Sequence, residues 1–177
     1  IYWKRKTIKN NLGSDDNIWK QFAELGWLGL PFSEKDGGFG GDLMDLNIIM
    51  ESFGRGLVIE PYISTVILSG SILSLCPDSV IRNKIINNII TGVNKVSFAY
   101  AEPNSRYNLN DVSTIAKLED KQWVLNGHKS VVFGAGQSNY IIISARTSGN
   151  RYDESGISLF IVERNNPGLE IQDYSKV

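Results

Sequence analysis

Cysteine and histidine are almost absent from this chain of 177 residues, which holds one of each, Cys76 and His128. A single cysteine excludes an internal disulfide and suits a reducing, cytoplasmic setting. One Cys and one His cannot build a zinc site of the usual Cys/His type. Excess charge is missing too: 18 Lys+Arg stand against 19 Asp+Glu, a formal net charge of −1. That balance argues against nucleic acid or a membrane surface as the main partner. No apolar run approaches the ~20 residues that span a bilayer. There is no initiator Met and no apolar signal core, and the chain ends on Ser175-Lys176-Val177 without a closing element. It reads as a piece of a longer protein. What is present, 42% hydrophobic and 21% charged residues, is ordinary for one or two globular domains.

The first half is helical in pattern. Ser14, Asp15 and Asp16 can cap a helix whose apolar face is Ile18, Trp19, Phe22, Ala23 and Leu25, with Gly26 as its stop. Asp42 opens a second helix with Leu43, Leu46, Ile49, Met50 and Phe53 on one stripe, ended by Gly54 and Gly56. Pro61 suits the first turn of a third, running through Val66, Ile67, Leu68, Ile72 and Leu73. Pro77 suits the first turn of a fourth, with Val80, Ile81, Ile85, Ile86 and Ile89 inward and Gly92 as the stop. After Gly92 the period becomes alternating. Strands are expected over Lys95–Ala101, Val112–Leu118, Gln122–Leu125, Ser130–Phe133, Tyr140–Ala145, Ile157–Val162 and Leu169–Ile171. Glu119-Asp120-Lys121 makes a hairpin turn and Asn126-Gly127 a second turn. The expected class is α+β: a helical domain over residues 1–93, then an antiparallel β-sandwich or barrel over 94–177.

The cluster Gly37-Gly38-Phe39-Gly40-Gly41 lacks the Lys-Ser/Thr of a phosphate-binding P-loop and follows no strand, so it reads as a tight interhelical loop. Gly134-Ala135-Gly136 falls between β segments and is no dinucleotide fingerprint. His128 beside the Asn-Gly turn reads as an exposed loop residue, and Cys76 before Pro77 as a helix-end filler. Of Trp3, Trp19, Trp27 and Trp123, Trp19 falls on an apolar helix face and reads as core. Lys4, Arg5, Lys6 and Lys9 read as a solvated face, with contact to phosphate groups the alternative.

Three strings, in order, resemble the acyl-CoA dehydrogenase family. The first is Phe22-Ala23-Glu24-Leu25-Gly26-Trp27-Leu28-Gly29-Leu30-Pro31 with the glycine cluster after it; the second is Phe98-Ala99-Tyr100-Ala101-Glu102-Pro103. The third is Trp123-Val124-Leu125-Asn126-Gly127-His128-Lys129, followed by Tyr140–Arg146. Within the family the chain is most similar to the small subunit of pimeloyl-CoA dehydrogenase, on Phe53–Tyr62 and Ala101–Tyr107.

The resemblance implies FAD-dependent α,β-dehydrogenation of an acyl-CoA thioester, with an oligomeric assembly and an electron-transfer flavoprotein as acceptor. It also implies a C-terminal four-helix bundle, absent here, that carries the catalytic carboxylate beyond Val177. Glu102 then reads as structural. By position, flavin contacts fall on Phe98, Tyr100, Ala101, Val131, Val132 and Phe133, and contacts to the CoA arm on Arg106 and Tyr107. The family's usual hydroxyl residue is Ala101 here, its stacking aromatic is Val131, and its second hydroxyl is Phe133. Two readings stay open: a catalytic FAD subunit with an altered pocket, or a non-catalytic partner subunit of a heteromeric dehydrogenase. A related use of the fold, as in a flavin-dependent monooxygenase or nitroalkane oxidase, is the third.

Overall fold

The computed structural model describes residues 13–172; Trp3, the basic opening and the final five residues lie outside that range. Helix α1 (Asp16–Glu24) starts where Asp15 accepts a hydrogen bond from the Asn17 N–H. That satisfies one of the donors every helix start leaves free. Trp19 and Phe22 are buried, whereas Leu25 is 61% exposed and leaves the expected face, because the helix has ended one residue earlier.

Helix α2 (Leu43–Gly56) carries a reciprocal capping box between Asp42 and Asp45. It runs through Gly54 and stops with Leu57 in the left-handed region at φ 50°. Leu43, expected on the inner stripe, is 79% exposed, since the first turn projects past the core. The third helical segment opens as a π-helix, Ile63–Ser69, and continues as α3 (Gly70–Leu75). Its sequence carried no signal for the wider turn. Helix α4 (Val80–Ile90) is capped by the Ser79 hydroxyl, so Pro77 precedes its first turn rather than occupying it. Val80 and Ile81 point outward, and Ile85, Ile86 and Ile89 carry the burial.

The expected glycine loop is tight in a literal sense. A Cβ on Gly38 would fall 2.3 Å from the Phe32 carbonyl oxygen and 2.5 Å from that of Gly29. At Gly38 the loop therefore packs backbone on backbone, as a tight turn requires.

Five strands form one sheet: β1 (Val96–Ala99), β2 (Ile115–Glu119), β3 (Gln122–Asn126), β4 (Tyr140–Arg146) and β5 (Ile157–Glu163). The α+β class holds, but the sheet is mixed and not purely antiparallel. β2–β3 and β4–β5 are antiparallel, while β1 runs parallel to β4 in the register Val96↔Tyr140 to Ala99↔Ile143, and β2 touches β4 in parallel at Ile115↔Arg146. Long connections between β1 and β4 permit the parallel pairing, which no hairpin could. Asp120 and Lys121, both at positive φ, close the β2–β3 hairpin as a two-residue turn of the type that matches strand twist.

Two expected strands do not form. Ser130–Phe133 is irregular because Val131 sits at φ 52°, outside any strand geometry. Leu169–Ile171 also lacks a ladder, yet both residues pack on Ala99, Ile141 and Ile143.

The main core gathers Trp19, Phe22, Phe53, Tyr62, Ile85, Ile86 and Ile89 from the helices with Val96 and Ile142 from the sheet. Phe22 and Phe53 stack at 4.9 Å, and Tyr62 meets Phe53 edge-on at 5.1 Å. One core thus spans both halves and fixes the sheet against the helices. The Tyr62 hydroxyl donates to the Trp27 carbonyl at 2.9 Å, and burial pushes this phenol up to about 12. Tyr62→Phe is expected to lower stability by about 1 kcal/mol in a denaturant titration, since the ring keeps its packing and only the hydrogen bond is lost.

Candidate functional site

The segments singled out in the sequence meet where β1 ends. Phe98 and Tyr100 lie two residues apart with rings 5.2 Å from each other, and Phe98 packs against the helical core. Ala99, between them, faces the other side of the sheet with Ile141 and Ile143. The six expected flavin residues therefore do not share one wall. Val131, Val132 and Phe133 line a hollow of about 1270 Å³ together with Ala99, Leu125, Ile141, Ile143 and Val162. Phe98, Tyr100 and Ala101 do not line it: Phe98 packs on the helical core, and Tyr100 and Ala101 follow the end of β1. Two hydrogen bonds tie the groups together: the Ser130 N–H donates to the Ala101 carbonyl at 2.9 Å, and Lys129 Nζ to that of Tyr100 at 3.3 Å.

Arg106 and Tyr107 lie apart from this junction. Arg106 adopts φ 49°, and Tyr107 is fully exposed. Neither lines the hollow. The turn that carries them is anchored from behind. Arg146, buried on β4, donates to the carbonyls of Asn110, Arg151, Asp153 and Ser155, and Arg151 pairs with Asp111.

A buried ion pair organises the junction. Glu102 and Lys129 are joined at 2.8 Å with side chains 2% and 8% exposed. Glu102 also accepts from the backbone N–H groups of Ser113 and Thr114, at 2.8 and 2.9 Å, and from the Ser113 hydroxyl. Burial pushes its carboxyl up, but the hydrogen bonds from Lys129, Ser113 and Thr114 outweigh that and hold it at about 2. Lys129 is pushed below its ordinary value by burial, against the pull of Glu102. It also reaches Ser144 at 3.0 Å. A carboxylate with every lone-pair direction engaged and so low a pKa is a poor proton acceptor near neutrality. The structural reading of Glu102 stands on that chemistry.

The donor set at the junction suits a flat heteroaromatic ring that carries carbonyl and nitrogen acceptors. Val131 and Phe133 are 63% and 60% exposed and offer apolar surface. No hydroxyl side chain occurs at 101, 131 or 133. The backbone N–H groups of Val131, Val132, Phe133 and Gly134, however, have no hydrogen-bond partner among the described residues. These residues are exposed or half-buried, so the four N–H groups are open to solvent or to a ligand. The isoalloxazine of FAD, with acceptors along one edge, fits this combination through the backbone.

Sequence reasoning found the two strings but not what joins them. Lys129 closes the third string without a role at the junction, and no residue pattern marks Ser97 or Ser138. His128 is exposed, Cys76 caps α3, and Trp123 is half exposed against Phe160 at 5.4 Å. Among the described residues, no group of three or more His, Cys, Asp or Glu could hold a metal ion, and no helix is long and apolar enough to cross a membrane.

Comparison with known proteins adds to this geometry. The family model "Acyl-CoA dehydrogenase, N-terminal domain" matches residues 3–92, and "Acyl-CoA dehydrogenase, middle domain" matches residues 97–177. A probable acyl-CoA dehydrogenase of Bacillus subtilis, YngJ, is 30% identical over 154 residues, covering 86% of this chain and 40% of that protein. CarC, a subunit of the caffeyl-CoA reductase-Etf complex of Acetobacterium woodii, is 32% identical over 156 residues, covering 87% of this chain and 41% of its own. Among solved structures, an FAD complex of PigA superposes with a TM-score of 0.82 at 22% identity, over 96% of this chain and 45% of that one. The chain thus spans about two fifths of the length of these curated relatives.

Proposed function

We propose that this chain, which belongs to the acyl-CoA dehydrogenase family, is the N-terminal and middle part of an FAD-dependent enzyme that desaturates an acyl-CoA thioester between its α and β carbons. The division at residues 1–93 and 94–177 belongs to this reading. The observation that carries it is the junction of 98–101 with 130–134, where exposed apolar side chains accompany a run of unpaired backbone donors.

In this reading Val131, Val132 and Phe133 would hold the flavin ring from one side, and Phe98, Tyr100 and Ala101, at and just past the end of β1, would meet it from the other. The cofactor supplies a hydride acceptor for the hydrogen that leaves the β-carbon. The chain orients the ring, excludes water with its apolar wall and offers backbone donors in a low-dielectric site. Arg106 and Tyr107 stand in the turn that would meet the CoA arm. The base that takes the α-proton is a carboxylate expected beyond Val177, since Glu102 is committed to Lys129.

The finer assignments rest on resemblance. The string Phe53–Tyr62 supports a small subunit of the pimeloyl-CoA dehydrogenase type, hence a dicarboxyl or other bulky CoA ester. Homo- or hetero-oligomeric assembly, a cytoplasmic setting and an electron-transfer flavoprotein as acceptor follow from the same likeness. The Etf association of CarC accords with the last. A second reading has one observation in its favour. With Ala101, Val131 and Phe133 in place of hydroxyl and stacking side chains, the chain could serve as a weakly binding or flavin-free partner subunit.

The two readings part in one experiment. The full-length protein is purified alone and with the product of the adjacent gene, and flavin absorbance and acyl-CoA-dependent bleaching are recorded. Bound flavin that bleaches supports the catalytic subunit; flavin-free protein in both preparations sinks it and leaves the partner subunit. Residues 1–177 alone are expected to turn over no acyl-CoA, and any dehydrogenation by them would overturn the placement of the base. Restoring hydroxyls with Ala101→Thr and Phe133→Thr is expected to tighten FAD binding about 30-fold, two hydrogen bonds of about 1 kcal/mol each, as read by flavin fluorescence quenching.

A further inference from the structure

We propose that Ser97 and Ser138 are positioning residues that hold segment 130–134 in the shape that turns its free N–H groups toward the flavin. This rests on the flavin site proposed above and assigns its support to two serines outside it.

Ser97 on β1 is fully buried and Ser138 nearly so. The Ser97 hydroxyl donates to the Phe133 carbonyl at 2.7 Å, the Ser138 hydroxyl lies 2.9 Å from the Gly134 carbonyl, and the two Oγ atoms are 2.5 Å apart. Each hydroxyl has one proton, so the pair cannot donate in all three contacts at once. With Ser97 donating to Phe133, Ser138 donates either to Gly134 or back to Ser97.

Peptide planarity turns these contacts into a direction. In a trans peptide the C=O and the following N–H point opposite ways. The Phe133 carbonyl is drawn inward to Ser97, so the Gly134 N–H faces away from the buried pair. The Val132 carbonyl is held by the Ala135 N–H, so the Phe133 N–H likewise turns from that turn. Ser130 fixes the segment's near end on Ala101, and Arg164 fixes its far end on the Ala135 carbonyl at 2.6 Å.

The shape so held is strained. Val131 is β-branched and sits at φ 52°, a region such residues seldom occupy. Gly134, at φ 75°, packs where a Cβ would lie 2.7 Å from Ser64 Oγ and 3.2 Å from Ser97 Oγ. Strain of this kind persists only where the surroundings over-determine it. Here the determinants are the hydroxyl pair and the π-helix carrying Ser64, which both pack against Gly134.

The test uses the full chain, with FAD affinity from fluorescence quenching and hydrogen exchange at the Ser130 and Ala135 amides. Ser97→Ala and Ser97→Ala/Ser138→Ala are expected to weaken FAD about fivefold or more and to speed exchange at both amides. Ser69→Ala, which removes a buried hydroxyl without a partner among the described residues, is expected to change neither. Val131→Gly guards against a variant that fails to fold. It relieves the strain and is expected to raise the melting temperature while weakening FAD. A double variant with wild-type affinity and wild-type exchange, or Val131→Gly with undiminished affinity, would overturn the proposal. A wild-type protein that never binds FAD would refute the flavin site instead. In that case the exchange rates alone decide whether the serines hold the segment.

Discussion

Glu102→Gln is expected to destabilise the protein by about 3–5 kcal/mol, because it leaves the Lys129 ammonium buried without its counter-charge. The amide has one oxygen where the carboxylate has two, so it can accept from Ser113 or from Thr114 but not from both, and part of the hydrogen-bond frame is lost with the charge. Lys129 has only the Tyr100 carbonyl and the Ser144 hydroxyl left. The double variant Glu102→Gln/Lys129→Met is expected to recover part of the loss, because no buried charge then remains although one backbone N–H still lacks its acceptor. Urea titration of both variants measures the coupling, and equal losses in the two would show that the ion pair is not the cause.

The same pair sets a pH dependence. The Glu102 pKa falls from 4.5 to about 2 on folding, so the folded state binds this proton less readily than the unfolded state. Its contribution is therefore complete above about pH 4.5 and is lost as pH falls toward 2. In Glu102→Gln this portion of the acid transition should disappear. A denaturation midpoint followed from pH 5 to 2 checks the sign, and an unchanged acid slope in the variant would contradict it.

How far the sequence foretold this arrangement depends on the kind of signal. Caps and apolar spacing announced α1 and α2, since a helix start needs a local acceptor and Asp15 and Asp42 supply it; α4 was legible from its apolar residues, but its start was read at Pro77 and not at the Ser79 cap. The β2–β3 hairpin was equally legible, its turn being decided by two adjacent residues. Parallel pairing of β1 with β4 was not, because partners 44 residues apart leave no local mark. Nor was the irregular path of 130–134. Ser-Val-Val-Phe has the composition of a strand, yet Val131 lies in the left-handed region and the Phe133 and Gly134 carbonyls are bound by Ser97 and Ser138, tertiary contacts that leave no local mark. The candidate site was thus legible as two strings and illegible as a junction. The substitutions at 101, 131 and 133 could be read by position, but the unpaired N–H groups that answer them follow from backbone geometry alone.

Arg82→Met is expected to cost about 3–5 kcal/mol as well, through the helical half. The guanidinium is buried, pairs with Asp36 through both terminal nitrogens, and donates through Nε to the Leu73 carbonyl at 2.9 Å and through NH1 to Asn83 at 2.9 Å. It therefore joins the start of the tight glycine loop to the end of α3 and the start of α4. Methionine fills the volume but strands the Asp36 carboxylate, whose side chain is only 11% exposed, together with the orphaned Leu73 carbonyl. Arg82→Lys keeps the charge yet cannot form the two-pronged contact, so it should recover only part of the loss. The hydrogen bond from Arg82 holds the Asp36 carboxyl below its ordinary value, so wild-type stability from this contact is lost as pH falls through and below the carboxylate range. Salt distinguishes the buried contact from its neighbour. The Lys35–Asp78 pair, 76% and 54% exposed, should be screened away at high ionic strength, while the Arg82–Asp36 contribution survives. A difference between wild type and Arg82→Met that collapses in molar salt would place the energy in the surface charges instead.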